Sequence, residues 1–381
     1  MILGIDASNI RAGGGVTHLT ELLRVAEPHK SGFKKIIVWS SKSTLTRIDD
    51  RPWLVKSHSD ILDKNIFYRM FWQRFMLSKL ADKAGCNIIF VPGGTYTARF
   101  RPFVTMSRNM LPFEWREIFR YGWSLMTLKL LLLRLSQSST FKNANGLIFL
   151  TQYANKNVSK IVTGITDKTT IIPHGIDGRF LCSPREQSDI NKYSTGRSFR
   201  IIYVSIIDVY KHQWHVVDAV SQLRIAGLPV TLDLIGPAYA PAGRRLQQVI
   251  NRLDPNGEFI YLRGSIPHSE LQVNYLNADL CVFASSCENM PNILLEGMAS
   301  GLPIACSNRG PMPEVLGNAG IYFDPENTDD IASAMSKLIE KRTLRAKKAN
   351  MAYESAQNYS WKQCARQTLD FLADVANNHA V

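Results

Sequence analysis

Two glutamates eight positions apart, Glu288 and Glu296, are the residues of this chain whose type and spacing best suit a chemical role. Both lie in residues 285–307, which read SSCENMPNILLEGMASGLPIACS. Carboxylates accept hydrogen bonds from hydroxyl groups, so two of them can bracket a ligand that carries several hydroxyls. The pair therefore predicts a site for a sugar.

The residues around the two glutamates predict a strand, a loop and a helix in that order. Residues 279–284 are apolar and β-prone, which is typical of a buried parallel strand. Pro291 suits a helix start, and the helical run 292–300 ends before a glycine. Ligands of open α/β sheets bind at the carboxyl ends of strands, and a helix start suits a phosphate. We expect Glu288 in this loop and Glu296 about one turn into the helix.

This segment resembles the donor site of the retaining glycosyltransferases of family 4. The resemblance rests on the E-x7-E spacing, the proline between the two glutamates and the sequence EGMASGLPI that ends the segment. It implies the α/β GT-B fold, in which two Rossmann-like doubly wound domains face each other across a donor cleft. In the family the first glutamate contacts the donor hexose and the second contacts the ribose. Those roles fall on Glu288, as a catalytic residue, and on Glu296.

The resemblance also assigns residues to the donor diphosphate and the nucleotide. Lys211 follows the predicted strand 199–207 and would neutralise the diphosphate, which makes it the second predicted catalytic residue. Backbone N–H groups of residues 289–292 would bind phosphate or sugar, and a glycine-rich turn before the first helix would lie close to the diphosphate. The predicted donor-binding residues are Glu296, Asn289, Met290, Pro291, Asn292, Gly14, Gly15 and Glu314.

Two positions depart from the family pattern. An arginine that accompanies the lysine in the family falls on Ile206, so one cation is missing, and Arg309 and Arg11 are the alternatives for it. A histidine that faces the donor sugar in many members falls on Arg108. We therefore carry no catalytic histidine over. The predicted acceptor-side residues are Arg108, Asn109 and His174.

The length and pattern of the chain indicate two domains. Its 381 residues are 45% hydrophobic and 20% charged, as in ordinary globular proteins. Two series of alternating strands and helices predict two doubly wound domains. The predicted strands are 2–7, 35–39, 87–91, 102–106, 146–150 and 169–172 in the first series and about 199–207, 230–236, 258–263, 279–284 and 303–306 in the second. We expect an N-terminal Rossmann-like acceptor domain at 1–182 and a C-terminal Rossmann-like donor domain at 183–360. A final helix at 361–381 would cross back to the first domain.

The net charge of +13 is concentrated in the N-terminal half. Residues 1–185 contain 27 Lys and Arg and 12 Asp and Glu, hence +15, which leaves 18 basic and 20 acidic residues, hence −2. Residues 66–76 and 113–135 interleave large apolar side chains with Arg and Lys. This pattern favours helices on an anionic membrane surface, with core helices as the alternative. We expect Trp72 and Trp123 to contact the lipid.

No cofactor and no metal are expected. The chain contains no D-x-D segment and no Cys or His residues with metal-ligand spacing, and its six cysteines are predicted to be reduced thiols. The first residues read as a strand and not as a signal peptide. These observations predict a cytoplasmic protein, peripheral at the inner face of the cytoplasmic membrane. No nucleic-acid-binding motif is present, so nucleic acid is not the expected partner.

The sequence thus predicts a retaining, metal-independent hexosyltransferase with a GDP- or UDP-linked sugar as donor. Its acceptor would be a saccharide or lipid-linked saccharide of a growing surface polysaccharide. Two alternatives stay open. A nucleotide-sugar epimerase on the same scaffold would turn over the sugar without an acceptor. A non-catalytic binder of sugar nucleotides or nucleic acid is favoured by the positive charge and by the missing arginine and histidine.

Overall fold

The computed structural model describes residues 1–379, and the chain divides into two compact units. We call them the N-terminal unit and the C-terminal unit. The N-terminal unit comprises Met1–Ile118, Trp123–Gly175 and the chain from Tyr359 onward. The C-terminal unit comprises Phe119–Gly122 and Ile176–Asn358.

The N-terminal unit is built on a parallel sheet of seven strands. Its order is β3-β2-β1-β4-β5-β6-β7, and every neighbouring pair is parallel. The strands are β1 (Ile2–Asp6), β2 (Lys35–Ser40), β3 (Leu54–His58), β4 (Ile88–Val91), β5 (Phe103–Met106), β6 (Gly146–Phe149) and β7 (Thr169–Ile171). The helices are α1 (Gly14–Val25), α2 (Lys42–Leu45), α3 (Ile66–Phe75), α4 (Leu77–Lys83), α5 (Trp115–Phe119), α6 (Leu125–Asn143) and α7 (Gln152–Ser159). Short 3-10 turns cover Pro28–Ser31, Asp60–Asp63, Leu111–Phe113 and Thr166–Lys168.

The C-terminal unit is built on a parallel sheet of six strands in the order β10-β9-β8-β11-β12-β13. The strands are β8 (Phe199–Val204), β9 (Val230–Ile235), β10 (Ile260–Gly264), β11 (Leu280–Phe283), β12 (Ile304–Ser307) and β13 (Gly320–Phe323). The helices are α8 (Gln213–Ile225), α9 (Ala240–Leu253), α10 (Leu271–Leu276), α11 (Asn292–Ala299), α12 (Met312–Leu316), α13 (Thr328–Glu340) and α14 (Arg342–Ala356). Short 3-10 turns cover Gly178–Phe180, Ile190–Lys192 and Gly317–Ala319. The last helix of the chain, α15 (Trp361–His379), belongs to the N-terminal unit.

Each sheet has the strand order of a doubly wound fold, which confirms the predicted fold class. Counted within its unit, each order begins 3-2-1-4-5-6, and the direction of winding reverses between the first and fourth strands. Strands such as β4 and β11 are buried along their whole length. Their side chains are apolar on both faces because helices cover both faces of a parallel sheet.

Two strands are absent from the sequence prediction, and both lie at the edge of a sheet. They are β3 in the N-terminal unit and β13 in the C-terminal unit. Edge strands have a neighbour on one side only, so part of each is exposed and the apolar run that marks a buried strand is broken. The central strands lie within a few residues of their predicted positions.

The chain enters the C-terminal unit at residue 176 and leaves it after 358, whereas the sequence places these boundaries at 183 and 360. The difference arises because residues 176–198 are hydrogen-bonded to the C-terminal unit and do not form a flexible linker before it. Cys182 donates its backbone N–H to the carbonyl of Ala299. Tyr193 donates its hydroxyl to Asp279 at 2.7 Å, so the polar segment is bonded to the second sheet.

The basic, aromatic segment 66–76 forms α3, and the segment 113–135 forms α5 and the first part of α6. One of the two tryptophans expected to contact lipid is not at the surface. Trp72 has no exposed surface and packs in the hydrophobic core beside Leu62 and Leu77, so the expectation that it contacts lipid is wrong. Trp123, at the start of α6, is fully exposed. A sequence pattern gives the helix but not which of its faces the rest of the unit covers.

Candidate functional site

The C-terminal unit brings its candidate residues to the point where its strand order reverses. Strands β8 and β11 are the first and fourth of this sheet and lie side by side. Parallel strands end at the same edge, so the loop after β8 and the loop after β11 meet there. Lys211 is in the first loop and Glu288 is in the second.

Lys211 and Glu288 form an ion pair at this edge. The Lys211 ammonium donates a hydrogen bond to Oε1 of Glu288. Only 7% of the lysine side chain and 16% of the glutamate side chain are exposed. The ammonium also lies 5.0 Å from the ring centre of Tyr210 and 5.2 Å from that of Phe283. Sequence analysis places these two charges in different motifs, and the fold makes them direct partners.

Backbone contacts fix the loop that carries Lys211. The hydroxyl of Tyr203, in β8, donates to the Lys211 carbonyl at 2.7 Å. Gly236, just after β9, adopts φ 144, and a Cβ there would lie 2.0 Å from the Ser205 carbonyl oxygen. Only glycine allows so close an approach of two backbones. The loop is therefore held from both neighbouring strands before α8 begins.

His212 and Ser286 connect the two loops. The Ser286 hydroxyl donates to the Tyr210 carbonyl at 3.2 Å, so its oxygen accepts from Nε2 of His212 at 3.0 Å. Nδ1 of His212 is buried and has no hydrogen-bond partner. Burial, with the charges of Arg120 and His215 in support, lowers the pKa of His212 to about 3. The imidazole is therefore neutral at pH 7 and acts as a hydrogen-bond donor.

Glu296 lies in the second turn of α11, as its sequence predicts, and is the acceptor end of a chain of hydrogen bonds. Arg179 donates to Nδ1 of His268 at 2.7 Å, so the ring proton of His268 is on Nε2. Nε2 donates to Oε1 of Glu296 at 2.8 Å, and the Tyr275 hydroxyl lies 3.3 Å from Oε2. A carboxylate offers about four acceptor positions, so two remain for ligand hydroxyls.

The start of α11 has the geometry that suits an anion. Pro291 is the N-cap residue, and no side chain caps the helix. Asn289, Met290 and Pro291 are buried in the loop, and Asn292 begins the helix. The Asn292 N–H donates to the Met290 carbonyl at 3.1 Å. The positive end of the helix dipole is at this point, and a helix start of this kind suits a phosphate.

One more residue of the predicted donor set, Glu314, lies after β12, and Gly310 comes shortly before it. A Cβ on Gly310 would be 3.8 Å from the backbone nitrogen of Glu288, so this glycine adjoins the loop after β11. Glu314 lies one turn further on, in α12, and is exposed. The structure thus brings Gly310 close to Glu288, while Glu314 is on the outer side of a short helix.

Neither alternative for the missing arginine is a free cation. Ile206, at the position of that arginine, is partly exposed. Arg309 forms an ion pair with Asp324 at 2.7 Å. Arg11 donates to the carbonyls of Leu62, Asp63 and Lys64. Lys211, itself paired with Glu288, is the cation in the loop after β8.

The remaining predicted residues lie in the N-terminal unit. Gly14 and Gly15 are the first two residues of α1, and Gly13 is its N-cap. Arg108 and Asn109 follow β5, where the Asn109 side chain accepts the Leu111 N–H at 3.0 Å. His174 is buried and stacks on Trp361, at a ring-centre distance of 5.5 Å. This packing makes His174 part of the core of the unit.

Three residues that hold the Glu296 carboxylate were not predicted from the sequence: Arg179, His268 and Tyr275. No spacing rule connects them to Glu296, since they come in turn from the 3-10 turn 178–180, the loop after β10 and helix α10. One signal was available for His268. It follows a predicted strand, and the carboxyl ends of parallel strands are where ligand-binding residues gather.

One group of three possible metal ligands occurs within residues 1–379. His58, Asp60 and Asp63 have ligand atoms within 4.8 Å of one another, and all three residues are exposed at the end of β3. Asp63 is already paired with His58 at 2.6 Å and accepts the Lys42 N–H at 3.0 Å. The group lies outside the predicted donor and acceptor residues.

Comparisons with known proteins show similarity to glycosyltransferases. Residues 198–341 match the family model described as "Glycosyl transferases group 1". O-antigen chain mannosyltransferase B of Escherichia coli is 31% identical over 125 residues, which are 33% of this chain and 32% of that protein. A GDP-mannose-dependent alpha-(1-6)-phosphatidylinositol monomannoside mannosyltransferase of Mycobacterium tuberculosis is 24% identical over 268 residues, 66% of each chain. The chain spans about a third to two thirds of the length of these relatives.

Solved structures show the same fold over the whole chain. The Anabaena protein HepE, solved with UDP and glucose, gives a TM-score of 0.70 at 16% identity and covers 98% of this chain and 100% of its own. WaaG, described as a glycosyltransferase involved in lipopolysaccharide biosynthesis, gives 0.68 at 12% identity and covers 98% and 99%. At these identities the likeness establishes the fold, which is GT-B.

The Lys211–Glu288 pair is expected to show strong energetic coupling. Lys211→Met leaves a largely buried carboxylate without its partner, and we expect the free energy of unfolding to fall by about 3 kcal/mol. Glu288→Gln alone leaves the ammonium uncompensated and is also destabilising. The double variant removes both charges, so its loss is expected to be smaller than the sum of the two. Urea denaturation of all four proteins measures this, and strictly additive losses would contradict a direct pair.

The lowered pKa of His212 predicts a pH dependence of stability. The folded pKa is about 3 and the unfolded value is ordinary, near 6.5, so the unfolded chain binds the extra proton between these two pH values. The His212 contribution is therefore complete above pH 6.5 and is lost as the pH falls toward 3, by about 1.4 kcal/mol per pH unit.

His212→Asn tests this dependence, because asparagine tolerates the left-handed backbone of this residue, φ 53. The free energy of unfolding is measured by urea denaturation between pH 7 and pH 4.5 for both proteins. The wild-type chain is expected to lose stability more steeply than the variant. Equal slopes would show that His212 is protonated in the folded protein as readily as in the unfolded chain.

Proposed function

We propose that this chain, whose residues 198–341 form a glycosyltransferase group 1 domain within a GT-B fold, is a retaining glycosyltransferase. In this proposal it moves a hexose from a GDP- or UDP-linked sugar to a growing, lipid-linked surface polysaccharide. The proposal rests on one observation: the largely buried Lys211 and Glu288 form an ion pair at the carboxyl ends of β8 and β11, next to helix α11, whose N-cap residue Pro291 makes no side-chain cap.

The donor would bind along this edge of the C-terminal unit. The diphosphate would lie between the Lys211 ammonium and the start of α11, because both the ammonium charge and the positive end of the helix dipole attract an anion. Glu288 would then accept hydrogen bonds from hydroxyls of the hexose. Glu296 would accept the ribose hydroxyls on the two lone-pair positions that His268 and Tyr275 leave. These roles are the ones that the resemblance to family 4 implies, with the diphosphate between the hexose and the ribose.

Lys211 would act by stabilising the leaving group. The bond between the anomeric carbon and the phosphate oxygen breaks, and its electron pair stays on that oxygen, next to the lysine ammonium. An acceptor hydroxyl forms the new bond on the same face of the sugar, and its proton passes to the departing phosphate. The products are the glycosylated acceptor and a nucleoside diphosphate. A fixed cation beside the developing charge lowers the barrier without having to reorganise.

Neither glutamate is proposed as a covalent nucleophile. Oε1 of Glu288 is bonded to Lys211, and that of Glu296 is bonded to His268. A carboxylate engaged in an ion pair or a hydrogen bond is a weaker nucleophile than a free one. These contacts favour displacement from the front face of the donor, in which the leaving diphosphate is the base.

Donor binding is the first test of this proposal. UDP, GDP and ADP and their common sugar conjugates are titrated by calorimetry into the full chain and into Glu296→Gln. We expect one nucleotide to be preferred, and at least tenfold weaker binding in the variant, because the ribose loses a charged acceptor. Glu354→Gln, which removes an exposed carboxylate of α14, serves as the control and should bind as the wild type does. Equal affinities for Glu296→Gln and wild type would contradict the proposed ribose contact.

A membrane surface is the proposed second partner, since α6 exposes a row of leucines. Leu125, Leu128, Leu132 and Leu135 are all exposed. Their spacing of three, four and three residues puts them on one face of the helix. The residues that α6 buries are Thr127, Leu130, Gln137, Thr140 and Phe141. The four exposed leucines are therefore available to a further apolar partner.

Positive charge accompanies these exposed apolar residues. Helix α3 exposes Ile66, Phe67, Met70 and Phe71 between the basic residues Lys64 and Arg74. Helix α6 carries Lys129 on its exposed side. Apolar side chains with basic neighbours suit the interface of an anionic bilayer. Within residues 1–379 no helix is both long and apolar enough to span a membrane, so the proposal is surface attachment.

Vesicle sedimentation tests this attachment. The full chain is mixed with vesicles of neutral lipid or with vesicles that contain about 30% of the anionic lipid phosphatidylglycerol. We expect co-sedimentation with the anionic vesicles and a clear loss in the double variant Phe67→Ala, Trp123→Ala, whose side chains are exposed. Ile225→Ala removes an exposed apolar side chain of the C-terminal unit and is the matched control. Undiminished binding of the double variant would remove α3 and α6 from the proposal.

A further inference from the structure

The four residues Phe119–Gly122 belong to the C-terminal unit, although the chain on either side of them belongs to the N-terminal unit. Two of their side chains bind loops at the carboxyl edge of the six-stranded sheet. Arg120 forms an ion pair with Glu326, which follows β13, at 2.9 Å. The Tyr121 hydroxyl donates to Oδ1 of Asp208, which follows β8, at 3.0 Å. The segment is therefore bonded to the edge of the sheet that carries the candidate donor site.

Asp208 is a second carboxylate close to Lys211. It lies three residues before the lysine, and its carbonyl accepts the Lys211 N–H at 3.1 Å, so a single backbone turn joins the two residues. Asp208 is buried. Burial raises its pKa, against the lowering effects of the Val209 N–H, the Tyr121 hydroxyl and the Lys211 charge. The charge of Lys211 thus acts on the Asp208 carboxyl as well as on Glu288.

The Asp208 carboxylate is nevertheless bonded to other donors. Its Oδ1 accepts the Tyr121 hydroxyl and a backbone N–H of its own loop. In the part of the chain that the structure describes, the Lys211 ammonium pairs with Glu288 and not with Asp208. Burial raises the pKa of Tyr121, so its hydroxyl stays protonated and acts as the donor. The Tyr121 ring also lies edge-on to the ring of Tyr239, at a centre distance of 5.8 Å.

A second carboxylate on the Lys211 ammonium would compete with a diphosphate. The ammonium has three N–H groups, one of which it donates to Glu288. A diphosphate needs the other N–H groups and the charge that the single ion pair leaves. Opposite charges attract strongly where water is largely excluded, so a carboxylate bound there would have to be displaced before the diphosphate could bind. Whatever holds Asp208 in place therefore affects the affinity for the donor.

We infer that Tyr121 is a positioning residue of the candidate donor site, whose hydroxyl keeps the Asp208 carboxylate off the Lys211 ammonium and so leaves that ammonium available to a diphosphate. Tyr121 acts through Asp208 and not by contact with the ligand. The inference rests on the proposed function, because it assumes that Lys211 binds the donor diphosphate. It adds to that function a residue to which the resemblance to family 4 assigns no role.

Calorimetric titration of UDP and GDP into the full chain tests this role. Tyr121→Phe removes the hydroxyl and keeps the ring. We expect the preferred nucleotide to bind about tenfold more weakly, because the released Asp208 carboxylate competes for Lys211. The corresponding monophosphate, UMP or GMP, lacks the second phosphate and should lose less affinity. Tyr261→Phe is the control, since it removes a hydroxyl that donates to the Glu258 carbonyl, and it should bind as the wild type does.

Asp208→Asn separates this positioning role from a merely structural one. Asparagine can still accept a hydrogen bond from Tyr121 but carries no charge, so this variant should bind the diphosphate at least as tightly as the wild type. The double variant Tyr121→Phe, Asp208→Asn has no carboxylate to compete, and we expect it to regain wild-type affinity. Unchanged affinity in Tyr121→Phe, a loss that persists in the double variant, or weaker binding in Asp208→Asn alone would overturn the inference.

Failure of the proposed function gives a different result in the same titrations. If no nucleotide binds, or if Glu296→Gln binds as the wild type does, the proposed donor site is wrong and the role of Tyr121 falls with it. If Glu296→Gln weakens nucleotide binding and Tyr121→Phe does not, the donor site stands and only the role of Tyr121 is removed.

Discussion

The ion pair between Lys211 and Glu288 is the interaction on which the rest of the C-terminal unit depends. The reversal of strand order puts β8 beside β11, and this neighbourhood brings a cation and an anion from loops 77 residues apart to one edge. Each charge is largely buried, so each needs the other while no ligand is bound. A donor that carries both a diphosphate and hydroxyls would give each side chain a second partner of the right kind. The same pair thus serves stability and, in our proposal, donor binding.

The contacts around the pair act to limit its movement. The Tyr203 hydroxyl holds the Lys211 backbone, and the His212–Ser286 hydrogen bond joins the two loops. Glu296 is oriented in the same way by His268, whose own ring is set by Arg179. Side chains whose positions are fixed before a ligand arrives lose little freedom on binding, which is the condition for effective electrostatic stabilisation.

The sequence was sufficient to predict the elements that carry the candidate site. The strand, loop and helix around Glu288 and Glu296 lie where the sequence predicts them. An apolar run, a proline and a glycine each have a strong preference for one kind of local structure. The two edge strands were missed, since partial exposure breaks their apolar pattern. Trp72 was assigned to the surface because burial is decided by tertiary packing. His268 and the Lys211–Glu288 contact depend on which strands become neighbours, and no local pattern contains that information.

Proton NMR of the transfer reaction most directly tests whether the chain is a retaining glycosyltransferase in which Lys211 stabilises the leaving diphosphate. Wild-type chain and Lys211→Gln are incubated with the sugar nucleotide that binds and with an acceptor saccharide, and the anomeric signal of the product is recorded. We expect the same anomeric configuration in product and donor. In Lys211→Gln we expect a rate at least about a hundredfold lower, because a group that stabilises the developing charge is removed. An inverted anomer, or an unchanged rate in Lys211→Gln, would contradict this expectation.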